Sequence, residues 1–326
     1  MKVFFIVNPA AGQGKNMESL ISSIETGAKT VGADFEIYTT EFVGDATEYV
    51  RYHCENGGPA RFIACGGDGT LNEVINGVAG VGNAEVGVIP SGTGNDFCRN
   101  FSKVYDFSDV ACQIKGVTTK CDAIRYETSF CGEKKQGYCV NMFNIGFDAN
   151  VAHTTSEMKK KPFLAGSLAY FASILMNLVK KECTKLDIFL DGVKVHGGKL
   201  LLTSIANGSY CGGGIKSNPR SSVNDGFANI NIINNLSRTR FLSLLPYYMK
   251  GSVFELKNVD RYISNHKCKS VLIVPHNGYI KLCVDGEIID AGETRFEVIH
   301  DAFNFVLPSL KKSNLVSDCS EDVCVN

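Results

Sequence analysis

Four glycine-rich stretches follow strand-like runs in this chain, and three of them occupy equivalent places in one repeating pattern. They are Asn8-Pro9-Ala10-Ala11-Gly12-Gln13-Gly14, Gly66-Gly67-Asp68-Gly69-Thr70, Ser91-Gly92-Thr93-Gly94-Asn95-Asp96 and, much later, Gly212-Gly213-Gly214. The first three close the apolar runs Lys2–Val7, Arg61–Cys65 and Val86–Ile89. A further strand is expected at Asp34–Thr40, and helices at about Lys15–Thr30, Gly44–Glu55 and Thr70–Val78. Strands alternating with helices imply right-handed βαβ units around a parallel sheet. The three loops then share the carboxyl edge of that sheet, where open α/β folds bind ligands. Glycine lets backbone N–H groups approach an anion closely, and each following helix N-terminus adds donors and a positive dipole end. The physical reading is a polyphosphate site. Asp68 and Asp96 would repel a phosphate directly, so they call for Mg²⁺ between carboxylate and phosphate. Asp68 has a second reading, as N-cap of the helix that starts near Thr70. Neither the dinucleotide fingerprint nor a Walker sequence is present.

The pattern changes near Cys121. Strand-like runs at Cys121–Glu127, Gly137–Asn141, Leu186–Leu190, Lys199–Ala206, Ala228–Ile233, Ser270–Val274 and Tyr279–Val284 are separated by turn clusters. Helical stretches are expected only at about Pro162–Lys181 and Arg238–Lys250. This describes a mainly antiparallel β domain. The expected division is an α/β nucleotide-binding domain over 1–122, a β-rich acceptor domain over 123–294 and a mobile tail over 309–326. Residues 295–308 have strand character suited to a return to the first domain.

Composition narrows the partners. The net charge is −1, which leaves no global basic field for nucleic acid. Thirteen cysteines show no CxxC spacing, and MKVFFIVNP lacks the features of a signal peptide. Reduced, buried cysteines in a cytoplasmic protein are expected. Phe163–Val179 carries no charge over 17 residues, the short limit for a membrane span, and reads as a buried or interfacial helix. Just before it, Lys159, Lys160 and Lys161 adjoin Phe163, a pattern that docks on anionic head groups.

The stretches GGDGTLNEV at 66–74 and PSGTGNDF at 90–97 resemble the diacylglycerol kinase catalytic-domain family, with its bacterial lipid kinases and sphingosine and ceramide kinases. More distantly they are similar to NAD kinases and 6-phosphofructokinases. NPAAGQG at 8–14, NIGFDANV at 144–151, KPFLAGSLAY at 161–170, GGGIKSNPRSSVNDG at 212–226 and VDGE at 284–287 extend the resemblance over nearly the whole chain. It implies a two-domain ATP-dependent kinase, an α/β domain plus a β-sandwich, acting in the cleft between them on a lipid hydroxyl, with diacylglycerol as the acceptor. By the same resemblance Gly66, Gly67, Asp68, Gly69, Thr70, Asn72 and Glu73 hold ATP phosphates, joined by Asn8, Gly12, Thr40, Thr93 and Asn95. Asp68 and Asp96 would meet Mg²⁺. Asp225 with backbone oxygens near Ser222 and Phe227 would form a structural metal site. The chain departs from the family pattern at Ser222, where an apolar residue is usual, and at Asn229, where an Asp is common.

The resemblance also makes Asp285 and Glu287 the catalytic candidates, carrying base and metal chemistry. On one strand, i and i+2 face the same side. Asp-Gly is equally a hairpin-turn signal. One carboxylate would take the acceptor's proton and the other hold metal, and the sequence does not say which. The expected partners are a lipid substrate at the inner membrane face, with peripheral membrane contact and no nucleic acid, and a homodimer is compatible with the chain. The competing readings are an NAD kinase-like enzyme on a soluble substrate and a nucleotide-binding regulator without turnover.

Overall fold

The computed structural model describes residues 1–14, 17–81, 83–147, 149–151, 154, 173 and 183–310. The Lys159–Lys161 patch, the apolar run Phe163–Val179 and the tail from residue 311 lie outside the described residues. The chain divides into two units, Met1–Cys121 with the segment from Ala302 onward, and Asp122–Asp301.

In the first unit β1 (Lys2–Val7), β2 (Phe35–Thr39), β3 (Ala60–Gly66) and β4 (Ala84–Pro90) form a parallel sheet in the order β2-β1-β3-β4. Phe5, Ile6, Phe62 and Ile63 are wholly buried, as expected for strands covered on both faces. The crossovers are α1 (Met17–Val31), α2 (Asp45–Asn56) and α3 (Asp68–Val78). A five-residue helix, α4 (Val110–Ile114), is too short to show a period in the sequence. Its N-cap is Asp109, whose carboxylate accepts the Cys112 N–H at 2.9 Å. Arg61 ties it to the sheet. The buried guanidinium pairs with Glu85 at 2.6 Å and donates to the carbonyls of Gln113, Ile114 and Gly116 at 2.8, 2.6 and 3.1 Å. These are the orphan carbonyls of a helix C-terminus, which need donors.

The second unit is antiparallel. Strands β7 (Met142–Gly146), β8 (Thr184–Leu190), β9 (Val193–Ala206), β12 (Ser270–Pro275), β13 (Ile280–Val284) and β14 (Glu287–Ala291) run in the order β14-β13-β7-β9-β8-β12. The far half of β9 also pairs β10 (Ala228–Asn234), which pairs β11 (Ile263–Cys268). Strands β5 (Val117–Phe130) and β6 (Glu133–Cys139) form a hairpin. Phe143, Ile145, Leu186, Ile188, Ile230 and Leu282 form the centre of its core. Helix α5 (Arg238–Lys250) buries Phe241, Leu244 and Tyr248 in a separate apolar cluster with Phe147, Leu202 and Ile263.

The final strand, β15 (Thr294–Leu307), starts antiparallel to β12 and ends parallel to β4, through Asn304↔Glu85 and Phe305↔Val86. Unit assignment changes within it after Asp301, which has φ +55°.

The run Gly137–Asn141 expected from sequence is strand as far as Cys139, the end of β6, and breaks at Val140 and Asn141 before β7. The N–H groups of Val140 and Asn141 leave the ladder there and donate to a side chain from another strand pair. The chain thus satisfies its backbone without pairing. Among the described residues no helix is long and apolar enough to cross a membrane.

Candidate active site

In the first unit the carboxyl ends of all four strands are laced together. The Thr40 N–H donates to the Val7 carbonyl at 2.9 Å, Asn8 N–H to Cys65 at 3.1 Å, and Ser91 N–H to Gly66 at 2.9 Å. Asn8 also donates its amide to the Thr70 hydroxyl at 3.0 Å and accepts the Ala10 N–H at 2.9 Å. The first glycine loop is thereby fixed to the start of α3. Gly12 has φ +61°, and a Cβ there would stand 2.9 Å from the Ser91 carbonyl oxygen. The second and third loops touch backbone to backbone. A Cβ on Gly92 would lie 2.5 Å from the Gly67 Cα, a distance no side chain tolerates. Glycine is required for this approach, and it leaves amide groups of three loops on one edge.

Asn95 holds the third loop closed. Its φ is +53°, and its amide accepts the Gly92 N–H at 3.1 Å and donates to the Gly92 carbonyl at 2.9 Å. Thr93 is exposed at the tip. Asn72 lies one turn along α3, accepting from Asn76 at 2.9 and 3.0 Å, while the Glu73 carbonyl accepts the Thr47 hydroxyl at 2.8 Å.

Asp68 is the first residue of α3 and Gly67 its N-cap, so the capping role read from sequence does not apply. The Asp68 carboxylate instead crosses to the third loop, where Oδ1 accepts the Phe97 N–H at 3.1 Å. A Cβ on Gly94 would stand 2.8 Å from Asp68 Oδ2 and 3.4 Å from Asp96 Oδ2. Two carboxylates therefore converge on one glycine, with Asp96 buried and Arg99 at 3.5 Å from it. Such a pair of hard oxygens beside glycine-rich loops fits Mg²⁺.

In the second unit Asp285 and Glu287 do not share a strand face, which corrects that sequence reading. Asp285 and Gly286 are the two central residues of the β13–β14 turn, with φ +45° and +101°, and Glu287 begins β14. Positive φ at both positions is the hairpin geometry that Asp-Gly favours. The Asp285 side chain is turned inward and surrounded by donors. It accepts the Cys139 thiol at 3.0 Å and the N–H groups of Val140, Asn141 and Met142 at 2.8, 3.0 and 2.9 Å. Burial pushes its pKa up while these donors pull it back. The Cys139 thiol is driven well above its usual value by burial and by the neighbouring Asp285 carboxylate. Glu287 is exposed. Tyr126 stands beside the hairpin. Its hydroxyl pKa is raised by burial first and then by the negative groups of Cys139, Glu287 and Asp285. Nothing in the sequence pattern marks Tyr126, Cys139 or the three amides, because backbone donors leave no residue-type signature.

Ser222, Asp225 and Phe227, the implied structural metal site, lie in the turn before β10. Asp225 is already neutralised by Lys267 at 2.6 Å and accepts the Phe227 N–H at 3.1 Å. The Ser222 hydroxyl donates to Asn224 at 2.8 Å. What pins this turn is Asp122, which sequence reasoning passed over. Its fully buried carboxylate takes the Gly226 N–H at 2.7 Å, the Asp301 N–H at 2.9 Å and His300 Nδ1 at 2.7 Å.

Residues 2–126 match the family model of the diacylglycerol kinase catalytic domain, and residues 141–307 match the YegS C-terminal NAD kinase beta sandwich-like domain. A diacylglycerol kinase of Bacillus subtilis is 27% identical over 322 residues, covering 95% of this chain and 97% of that protein. One from Staphylococcus aureus is 33% identical over 233 residues, covering 70% and 69%. The crystal structure of a diacylglycerol kinase from Bacillus anthracis superposes with a TM-score of 0.69 at 24% identity, covering 94% of this chain and 96% of that one.

Proposed function

Since the chain belongs to the diacylglycerol kinase catalytic-domain family of lipid kinases, we propose that it transfers the γ-phosphoryl group of ATP to the free hydroxyl of diacylglycerol. The observation that carries the nucleotide half of this reading is the contact of the Gly67 and Gly92 backbones beside the converging carboxylates of Asp68 and Asp96. Phosphoryl transfer requires alignment and charge neutralisation more than covalent chemistry. The loop amides of the first unit bind the phosphates. Mg²⁺, when held by Asp68 and Asp96, supplies the countercharge.

Glu287 is the general base in this reading. Asp285 Oδ1 already accepts three donors and Oδ2 one, which commits this carboxylate to holding the turn. Exposed Glu287 takes the hydroxyl proton as that oxygen bonds to the γ-phosphorus and the β–γ bridging oxygen departs with ADP. Asp285 fixes the turn from which Glu287 projects, and is a positioning residue.

Purified protein with labelled ATP and a panel of diacylglycerol, a sphingoid base, ceramide, phosphatidylglycerol and NAD tests the assignment. Labelled phosphatidic acid is the expected product. Label appearing only in NAD, or in none of the panel, would refute it.

A further inference from the structure

Helix α5 has two dissimilar faces. Phe241, Leu244 and Tyr248 are buried, while Leu242 and Tyr247 remain 46% and 44% exposed. Pro246 is also exposed, and with Leu242 and Lys250 it forms an i, i+4 ridge along the outside. Arg240 and Tyr247, seven residues apart, share the flank of that ridge. The first turn of α5 holds Arg238 and Arg240 with no acidic residue, against the helix dipole.

The surroundings repeat the same character. Between residues 210 and 269 there are nine Lys and Arg and three Asp and Glu, in a chain of net charge −1. Contacts gather many of these cations around α5. Arg240 lies over the Tyr262 ring at 4.8 Å, next to Arg261. Lys216 donates its N–H to the Met249 carbonyl at 3.0 Å, at the C-terminal end of the helix, and its ammonium sits over Tyr210 at 5.7 Å. Arg220 lies over Phe254 at 4.5 Å, in the turn that follows α5. Seated on aromatic rings, these cations keep their charge outward, where a carboxylate partner would cancel it. Glu255 and Asp260 are the acids of this region besides the Lys267-paired Asp225.

We propose that the outer face of α5, with Leu242, Pro246 and Tyr247 between the cations of Arg238, Arg240, Lys216 and Lys250, is the surface by which the protein docks on an anionic lipid bilayer. The inference rests on the lipid-kinase reading for its purpose and on charge complementarity for its partner. A helix lying in the interface buries one apolar ridge among acyl chains and keeps basic side chains at head-group level. Each basic residue near such a surface strengthens binding several-fold. The buried side of the same helix packs in the apolar cluster of Phe147, Leu202 and Ile263, which leaves the outer face to meet the bilayer.

The test compares wild type, Arg238→Gln/Arg240→Gln and Leu242→Ser/Tyr247→Ser in flotation with vesicles of phosphatidylcholine containing about a third phosphatidylglycerol, against pure phosphatidylcholine. Each protein is also assayed on short-chain diacylglycerol dispersed in detergent, with a thermal melt as the folding control. Wild type should float with anionic vesicles only. The arginine pair should lose about tenfold to thirtyfold in vesicle affinity at low salt, and less at high salt. The Leu242/Tyr247 pair should lose about tenfold at both, because salt does not screen apolar insertion. Detergent-phase turnover and melting should remain near wild type. Vesicle binding that follows this pattern in a protein inactive on every lipid supports the docking face while removing the kinase reading. Full activity with vesicle binding indifferent to both pairs overturns the docking face alone. An effect of the arginine pair without any effect of the apolar pair also overturns it, since a soluble polyanion would give that result. A change of oligomeric state with vesicle binding intact would assign the face to a second copy and overturn it likewise.

Discussion

The phosphate loops of the first unit and the Asp285–Glu287 hairpin of the second solve the same problem, holding a polar group in place, by opposite means. The loops are built from absent side chains. Gly67 and Gly92 approach because neither has a Cβ, and the Gly92 N–H is held by Asn95 at 3.1 Å. At the hairpin the amides of Val140, Asn141 and Met142 are consumed internally, by the Asp285 carboxylate. Close contact of glycine backbones thus shapes the site in one unit, and a side chain plugging a nest of N–H groups shapes the other. An acid among such donors is therefore no sign of catalysis by itself, and the proposed reading gives the base role to the exposed Glu287 beside it.

The largest expected effect tests that inference. Glu287→Gln should lower kcat by roughly 10²–10⁴-fold, the span for loss of a general base, with ATP affinity and melting temperature unchanged. Steady-state kinetics beside a thermal melt would show it. Turnover within a few-fold of wild type would return the base role to Asp285 or move it off the hairpin. Next comes Gly92→Ala. Its Cβ would meet the Gly67 Cα at 2.5 Å, so one loop must move. Misplacement of about 1 Å can cost about 10²-fold, and kcat/KM for ATP should fall by about that factor. An unchanged value would mean that the contact between the two loops is not what shapes the phosphate site.

The same contrast explains what could be read in the sequence. Glycine loops write themselves into the text, and the strands β1, β3 and β4 that carry them were legible as unbroken apolar runs. The match of the sandwich to its family model likewise follows motifs visible in the chain, such as VDGE at 284–287. The role of Asp285 was not legible, because its partners are backbone groups of residues more than a hundred positions away. Strands β11 and β14 were missed for a related reason. Ile263–Cys268 and Glu287–Ala291 mix polar and apolar residues without the runs that mark buried strands, and their pairing comes from β10 and β13. The pairing of Asp225 with Lys267 was likewise not legible, because Lys267 lies outside the motif.

Asp285→Asn sharpens the comparison through stability. The amide nitrogen would point a donor at groups that are themselves donors, leaving buried N–H groups unsatisfied at about 1–3 kcal/mol each. With relaxation, a total loss of about 2–3 kcal/mol is expected, or about 5–10 °C in the melting of a unit this size. Activity should fall with it, because the turn that presents Glu287 loosens. The two variants then differ in kind, since Glu287→Gln should spare the melt. Loss of activity from Asp285→Asn at an unaltered melting temperature would contradict the anchoring role and favour direct contact with substrate.

The smallest effect belongs to Asn95, whose side chain supports the third glycine loop. Asn95 holds φ +53° and makes two bonds to the Gly92 backbone, so Asn95→Ala removes both and adds the cost of a left-handed backbone. Asn95→Gly removes the bonds while relieving the backbone. If the side chain matters through its bonds, both variants should lose about 1 kcal/mol and raise the KM for ATP several-fold, with glycine no better than alanine. If it matters by setting φ, glycine should approach wild type and alanine alone should suffer. The hydrogen-bond geometry favours the first outcome. A pair of variants indistinguishable from wild type would show that the Gly67–Gly92 contact suffices to hold the third loop, and that the phosphate edge is maintained by glycine packing alone.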